Sequence, residues 1–259
     1  MTLASIARRI SVAYDATILA LDLKGEYCSL LSHTVRRVVN LNPLSTPIRI
    51  CSQGARNLLE ILVDAVSSIL SLTEGNRRLL SELLSTCCTT CKSINEILRS
   101  IPVYELGETT KALETLSLFF DSCQGLDIAT IAREFLRPKT ALILNLEKLT
   151  HYDHTLTTPL LFTILTAIPQ LLDPTELNKV RLAIVLDEAW SYLPYATRNT
   201  ITKLLRLARS YGISLLIATQ SIDDLGSYAE LTVSNSGLFI ALASNYRNYW
   251  TQLARLSLI

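Results

Sequence analysis

Two adjacent carboxylates follow an apolar run in Ile184-Val185-Leu186-Asp187-Glu188-Ala189-Trp190. An apolar run of this kind suits a parallel strand covered on both faces, so Asp187 falls at its C-terminal end. Ligands of open α/β sheets bind outside those ends. A carboxylate placed there can hold a magnesium ion, usually through water. Its neighbour can orient and deprotonate an attacking water. The bland alternative is a helix N-terminus, where acids complement the macrodipole. A second run, Leu215-Leu216-Ile217-Ala218-Thr219-Gln220-Ser221, also ends in polar residues. Gln220 can hydrogen-bond a γ-phosphate or its attacking water there. Alternatively, the strand leaves the core and Thr219 and Ser221 cap it.

Two further groups bear on the same chemistry. Arg198, Lys203, Arg206 and Arg209 fall on one side of a helix over 197–211, with Ile201, Leu204, Leu205 and Ala208 on the other. That is either a solvated face or a basic edge turned to a neighbour's nucleotide, where arginine stabilises charge on the transferring phosphoryl group. In Asp22-Leu23-Lys24-Gly25-Glu26-Tyr27, Asp22 again closes an apolar run and Gly25 permits a tight turn. This turn is a second source of acids beside the same cleft.

The elements that must position these residues follow from periodicity. Residues 3–13 have helical spacing, with Ile6 and Ile10 on one face. The runs at 17–22, 140–146, 181–187, 213–219 and 238–242 read as buried strands. Residues 155–172 and 197–211 read as helices between strands. The block 53–137 reads as consecutive amphipathic helices without strand-like alternation. Strands alternating with helices imply a parallel α/β sheet with right-handed crossovers. The chain therefore divides into a sheet portion at 1–52, a helical insertion at 53–137 and the rest of the sheet at 138–259.

Composition narrows the class. The chain has 259 residues, 49% hydrophobic and 18% charged, with a net charge of +1. That balance excludes bulk disorder and a wholly basic nucleic-acid coat. Mean hydropathy is +0.32, yet the most apolar helical stretch, Leu160–Leu172, contains Pro169 and is shorter than the roughly 20 residues a membrane span needs. No signal peptide is visible at the N-terminus, so the expectation is a cytoplasmic chain without a membrane span. Six cysteines include a Cys88–Cys91 pair with CxxC spacing. With no second such pair for zinc, small buried free thiols are expected.

Taken in order, Leu21-Asp22-Leu23-Lys24-Gly25-Glu26-Tyr27, Leu41-Asn42-Pro43-Leu44, Leu186-Asp187-Glu188-Ala189-Trp190, Ala208-Arg209-Ser210-Tyr211-Gly212 and Ala218-Thr219-Gln220 resemble the HerA–FtsK superfamily of P-loop ATPases, especially its HerA-like DNA-pumping branch. The resemblance implies a RecA-like, mostly parallel sheet with flanking helices and an all-helical insertion. It implies an ATP-driven DNA translocase of helicase type, with ATP and Mg2+ as cofactors. Double-stranded DNA and further copies of the chain in a hexameric ring are the implied partners, with room for a nuclease partner. Asp187 takes the place of the Walker B acid and metal ligand, and Glu188 that of the catalytic base. Gln220 becomes the sensor, Arg209 and then Arg206 the trans-acting arginine finger, and Asp22 and Glu26 further nucleotide-site acids. The family's phosphate loop, G-x-x-x-x-G-K-[ST], is absent, because no two of the 8 glycines have that spacing followed by lysine. The expectation is a chain truncated at or within that loop, or else a non-hydrolysing scaffold or DNA-binding ring subunit derived from such an ATPase.

Overall fold

The computed structural model describes residues 2–33, 35–51, 56–100, 107–127, 130–131, 133, 137–148, 179–191, 202, 205, 208, 210–240, 242, 250–251 and 254. Helix α1 (Thr2–Tyr14) leads into strand β1 (Thr17–Asp22). A short helix α2 (Tyr27–Leu31) and strand β2 (Arg37–Leu41) follow. Strand β3 (Ile48–Arg49) opens the helical block of α3 (Arg56–Ile69), α4 (Glu74–Thr90), α5 (Ile94–Ser100) and α6 (Gly107–Ser117). Strands β4 (Phe120–Asp121), β5 (Leu126–Asp127), β6 (Thr140–Asn145), β7 (Leu182–Leu186) and β8 (Ile213–Ile217) precede helix α7 (Ala229–Ser234).

The main sheet has five strands in the order β2-β6-β1-β7-β8, and every pairing is parallel. β1 lies at its centre and is buried along its whole length. Its side chains alternate between two cores. Leu19 and Leu21 join Leu142, Leu144, Ile184 and Leu186 in one, which continues into Leu62, Leu80 and Leu84 of the helical block. Ile18 and Ala20 join Ala141, Ile143 and Val185 in the other, beneath Ala4 and Ala7 of α1. A continuous apolar run is what a strand covered on both faces requires.

Register then fixes the functional edge. Asp22 lies opposite Asn145, Leu21 opposite Leu186, and Leu186 opposite Ile217. The C-terminal ends of the four strands are therefore level. The two outer edges of the sheet differ. β2 exposes Arg37 and Asn40, the polar blunting typical of an edge strand. β8 instead carries Leu215, Leu216 and Ile217, all half-buried, with no pairing on its outer side among the described residues.

Several expectations need correction. β2 was not expected, and the block 53–137 contains β4 and β5, which pair with β3 in a small parallel sheet. Residues 238–242 do not form the expected strand. Residues 238–240 and 242 have no strand conformation, and Leu238, Ile240 and Leu242 are exposed. A strand exists only through its ladder, and none of the described strands pairs with this run. The helix expected at 155–172 and the basic residues Arg198, Lys203, Arg206 and Arg209 lie outside the described residues; Thr202, Leu205, Ala208 and Ser210 are helical. No described helix is long and apolar enough to cross a membrane.

The cysteines also depart from expectation. Cys51 is bonded to Cys88 and Cys91 to Cys123, while Cys28 and Cys87 are free. The CxxC spacing brings no shared partner, because Cys91 adopts the left-handed conformation that ends α4. Cys88 therefore reaches back to the loop before α3, and Cys91 reaches forward to the β4–β5 turn. Burial pushes the Cys87 thiol up to about 11, so it is no thiolate at neutral pH and does not attack the adjacent bridge. The bridges span 37 and 32 residues, and loops of that size confer roughly 3–4 kcal/mol each in the chain-entropy account. Thiol titration of the denatured, unreduced chain should find two free thiols, and reduction should lower the melting temperature clearly. A count of six thiols would remove both bridges from the account.

Candidate nucleotide-handling site

Asp22 organises the edge. It is 1% exposed, and its carboxylate accepts from the main chain that follows. Oδ1 accepts from the amides of Lys24 at 3.3 Å and Glu26 at 3.1 Å, and Oδ2 from that of Tyr27 at 2.9 Å. A carboxylate that accepts several backbone N–H groups fixes a turn firmly. Gly25 completes that turn at φ +73°, and a Cβ there would meet Glu147 Oε2 at 2.7 Å. The positive φ is what calls for glycine, since the exposed end of Glu147 can swing aside. Asp22 thus builds the turn and offers no free face to a ligand. Glu26 contributes its amide to this turn.

Asp187 and Glu188 leave β7 beside that turn. Tyr27 donates its hydroxyl to Asp187 Oδ2 at 3.0 Å, and the Glu188 amide donates to Asp187 Oδ1 at 3.0 Å. Glu188 sits at φ +52°, an unusual conformation for a non-glycine residue and one that costs of order 1 kcal/mol. Its Oε1 is ion-paired with Lys24. Its Oε2 accepts from Trp190 Nε1 at 2.6 Å and, at the longer distance of 3.4 Å, from Gln220 Nε2. The Lys24 ammonium, then the Trp190 indole, hold the Glu188 carboxyl below its usual range. Glu188 is therefore ionised at neutral pH and accepts hydrogen bonds on both oxygens.

The β7–β8 ladder continues past both strand ends and brings Gln220 in. Ala218 donates to the Leu186 carbonyl at 3.0 Å, and Ala189 donates to the Ala218 carbonyl at 2.9 Å. Asp224 Oδ2 accepts from the Ser221 amide at 2.8 Å and from the Thr219 hydroxyl at 3.2 Å. The polar end of β8 therefore both caps itself and presents exposed Gln220 to Glu188. Asp187, Glu188 and Gln220 share one edge, next to the turn that carries Asp22 and Glu26.

Sequence reasoning missed four residues here. Lys24 and Tyr27 belong to a motif quoted only for its acids and glycine, and Trp190 was quoted only as the end of a run. Glu147, two residues beyond β6, lies against Gly25 and had no local signal, since only the parallel register brings it there. Among the described residues no group of three or more His, Cys, Asp or Glu side chains could hold a metal. Asp187 as a lone carboxylate suits magnesium, which keeps several waters and takes one or two carboxylates together with substrate phosphates. No two glycines of this sequence have the spacing of a phosphate-gripping loop followed by lysine.

No protein-family model matches the sequence. A stretch of 80 residues is 30% identical to the DNA import protein CedB of Sulfolobus acidocaldarius, covering 30% of this chain and 13% of that protein. Among solved structures, VirB4 of Thermoanaerobacter pseudethanolicus matches with a TM-score of 0.69 at 15% identity, covering 100% of this chain and 78% of VirB4. The unbound bacterial conjugative coupling protein TrwBdeltaN70 matches with a TM-score of 0.58 at 13% identity, covering 87% of this chain and 61% of that one. TrwB in complex with the non-hydrolysable GTP analogue GDPNP matches with a TM-score of 0.53 at 13% identity, covering 88% and 69%. At such identities the likeness establishes the fold: a RecA-like α/β sheet flanked by helices.

Removing the Asp22 carboxylate strands the buried amide of Tyr27 and frees the part-buried amides of Lys24 and Glu26. Unsatisfied buried donors cost about 1–3 kcal/mol each. Asp22→Ala should therefore destabilise the chain by about 1–3 kcal/mol in a urea melt, the cost of the one buried donor, since the other two amides can turn to water. A loss under about 1 kcal/mol, the scale of one ordinary hydrogen bond, would contradict the turn-building role.

Proposed function

We propose that the chain is part of an ATP-driven DNA-transfer motor and supplies the hydrolytic edge of its nucleotide site. The observation that carries this reading is the convergence of Asp187, Glu188 and Gln220 at the C-terminal edge of a parallel sheet. The named relatives support it: a DNA import protein, VirB4, and a plasmid coupling protein bound to a GTP analogue. The HerA class within this group rests on the motif resemblance.

Each side chain has a role set by its place. Asp187 would hold the magnesium ion through water, and that ion supplies charge neutralisation on phosphate oxygens. Glu188 orients the attacking water and takes its proton. Gln220 senses the bound phosphate or that water. Glu26 stands beside the pair as a further acid, and Asp22 acts through the turn. Arg209, with Arg206 second, is proposed to reach the site of a neighbouring copy in a hexameric ring around double-stranded DNA. We place the motor in the cytoplasm, with 1–52 and 138–259 as the ATPase core and 53–137 as its insertion.

This sequence holds no glycine loop of the phosphate-binding spacing, so in this reading another segment or chain supplies the cradle. Backbone amides at a helix N-terminus are the principal phosphate-binding device of such folds. An apolar, unpaired parallel edge is a template for another strand, and β8, unpaired on its outer side among the described residues, offers that edge where the polar β2 does not. We therefore place a cradle-bearing strand along β8. The absent loop also favours a second reading, a scaffold or DNA-binding ring subunit that no longer hydrolyses ATP.

Calorimetric titration of this polypeptide with Mg-ATP should show weak binding or none. Adding a strand and a G-x-x-x-x-G-K segment ahead of Met1 should restore binding and hydrolysis. In that extended protein Glu188→Gln should abolish turnover while binding persists. Tight ATP binding by the unextended chain would contradict the proposal, and restored binding without turnover would favour the scaffold.

A further inference from the structure

The carboxylates of Asp187 and Glu188 are each held by a residue that β7 does not supply, and both holders come from one turn. Lys24 pairs with Glu188 Oε1. Tyr27 donates to Asp187 Oδ2 at 3.0 Å. We propose that Lys24 and Tyr27 are positioning residues, and that the turn between β1 and α2 aims the carboxylate pair by gripping one member with each. This inference rests on the reading of Asp187 and Glu188 as the metal-holding and water-orienting pair.

Tyr27 is fixed from both ends. Its amide is held by Asp22 Oδ2 at 2.9 Å. Its ring is buried in the second core with Ala4, Ala7 and Leu31, and a buried phenol must find a partner for its hydroxyl. That partner is Asp187. A carboxylate that binds metal with one oxygen gains direction when a rigid donor holds the other.

Lys24 works from the exposed side. Its stem leaves the turn that Asp22 closes, and its side chain is 55% exposed against 16% for Glu188. Glu188 needs external holding because its backbone lies in the left-handed region. Lys24 takes one carboxylate oxygen, while Trp190 and Gln220 take the other. An exposed ion pair contributes little to stability, so a melting curve does not separate a positioning lysine from a decorative one. Trp190 does, because its indole shares the Glu188 carboxylate.

The test uses the full chain with Trp250→Phe, which leaves Trp190 as the sole tryptophan of the two present. Lys24→Met should shift Trp190 emission to the red and increase its quenching by acrylamide, and Lys24→Arg should restore both. Wild-type emission and quenching in Lys24→Met would overturn the role of Lys24. Manganese alone, followed by electron paramagnetic resonance, tests the other grip. Tyr27→Phe should weaken Mn2+ binding about tenfold, at the lower end of losses seen when a residue hydrogen-bonded to a metal ligand is removed. Asp187→Asn should weaken it further. Unchanged or tighter binding in Tyr27→Phe, alongside weakened binding in Asp187→Asn, overturns the Tyr27 role alone. Unchanged binding in Asp187→Asn overturns the metal reading and the Tyr27 role with it. Tyr27→Phe keeps the buried ring. Circular dichroism monitors its fold, and the Lys24 arm stands independently of that core.

Discussion

The buried carboxylate of Asp22 is the contact on which the site depends. A polar side chain at the end of a fully buried central strand is expensive unless both its oxygens find donors. Three amides of the following residues supply them, two to one oxygen and one to the other. That requirement forces the chain to double back within a few residues, which in turn demands Gly25 at positive φ. The turn so formed carries Lys24 and Tyr27 to the end of the adjacent strand. Asp22 thus reaches the reactive pair by way of the backbone.

The rest of the edge follows from parallel register. With β1 between β6 and β7, the residues leaving those strands emerge level with one another. Glu147, Asp187 and the turn at 22–27 are drawn together from widely separated parts of the sequence. The β7–β8 ladder adds Gln220 by running beyond both strand ends. The helical block stands behind this edge, its core continuous with one face of the sheet and its loops tied by two disulfides. Intracellular disulfides of this kind are a feature of hyperthermophiles and are rare elsewhere, so the cytoplasmic placement proposed for the motor carries that condition.

Much of this was legible in the sequence because parallel strands buried on both faces leave uninterrupted apolar runs. The runs at β1, β6, β7 and β8 were recognisable, and so were the acids that end two of them. β2 was not, since Arg37 and Asn40 break the pattern on a half-exposed edge strand. The two-residue strands β3, β4 and β5 are too short for any periodicity to show. The run at 238–242 misled for the opposite reason: apolar residues are necessary for a buried strand, but a ladder partner decides whether one forms. Cysteine pairing needed tertiary proximity that spacing does not contain. Within the site, Asp187, Glu188 and Gln220 were visible as strand-end polar residues. Lys24, Tyr27 and Glu147 act across the sheet, at sequence separations no local pattern reports.

A crystal structure of the chain soaked in manganese chloride tests the central claim most directly, since anomalous scattering locates the metal without reference to any assumed role. The account places a manganese peak beside Asp187, with the Tyr27 hydroxyl in hydrogen-bond reach of the other carboxylate oxygen and Asp22 still holding its three amides. A manganese peak away from Asp187, or an Asp187 carboxylate turned away from Tyr27, would contradict it.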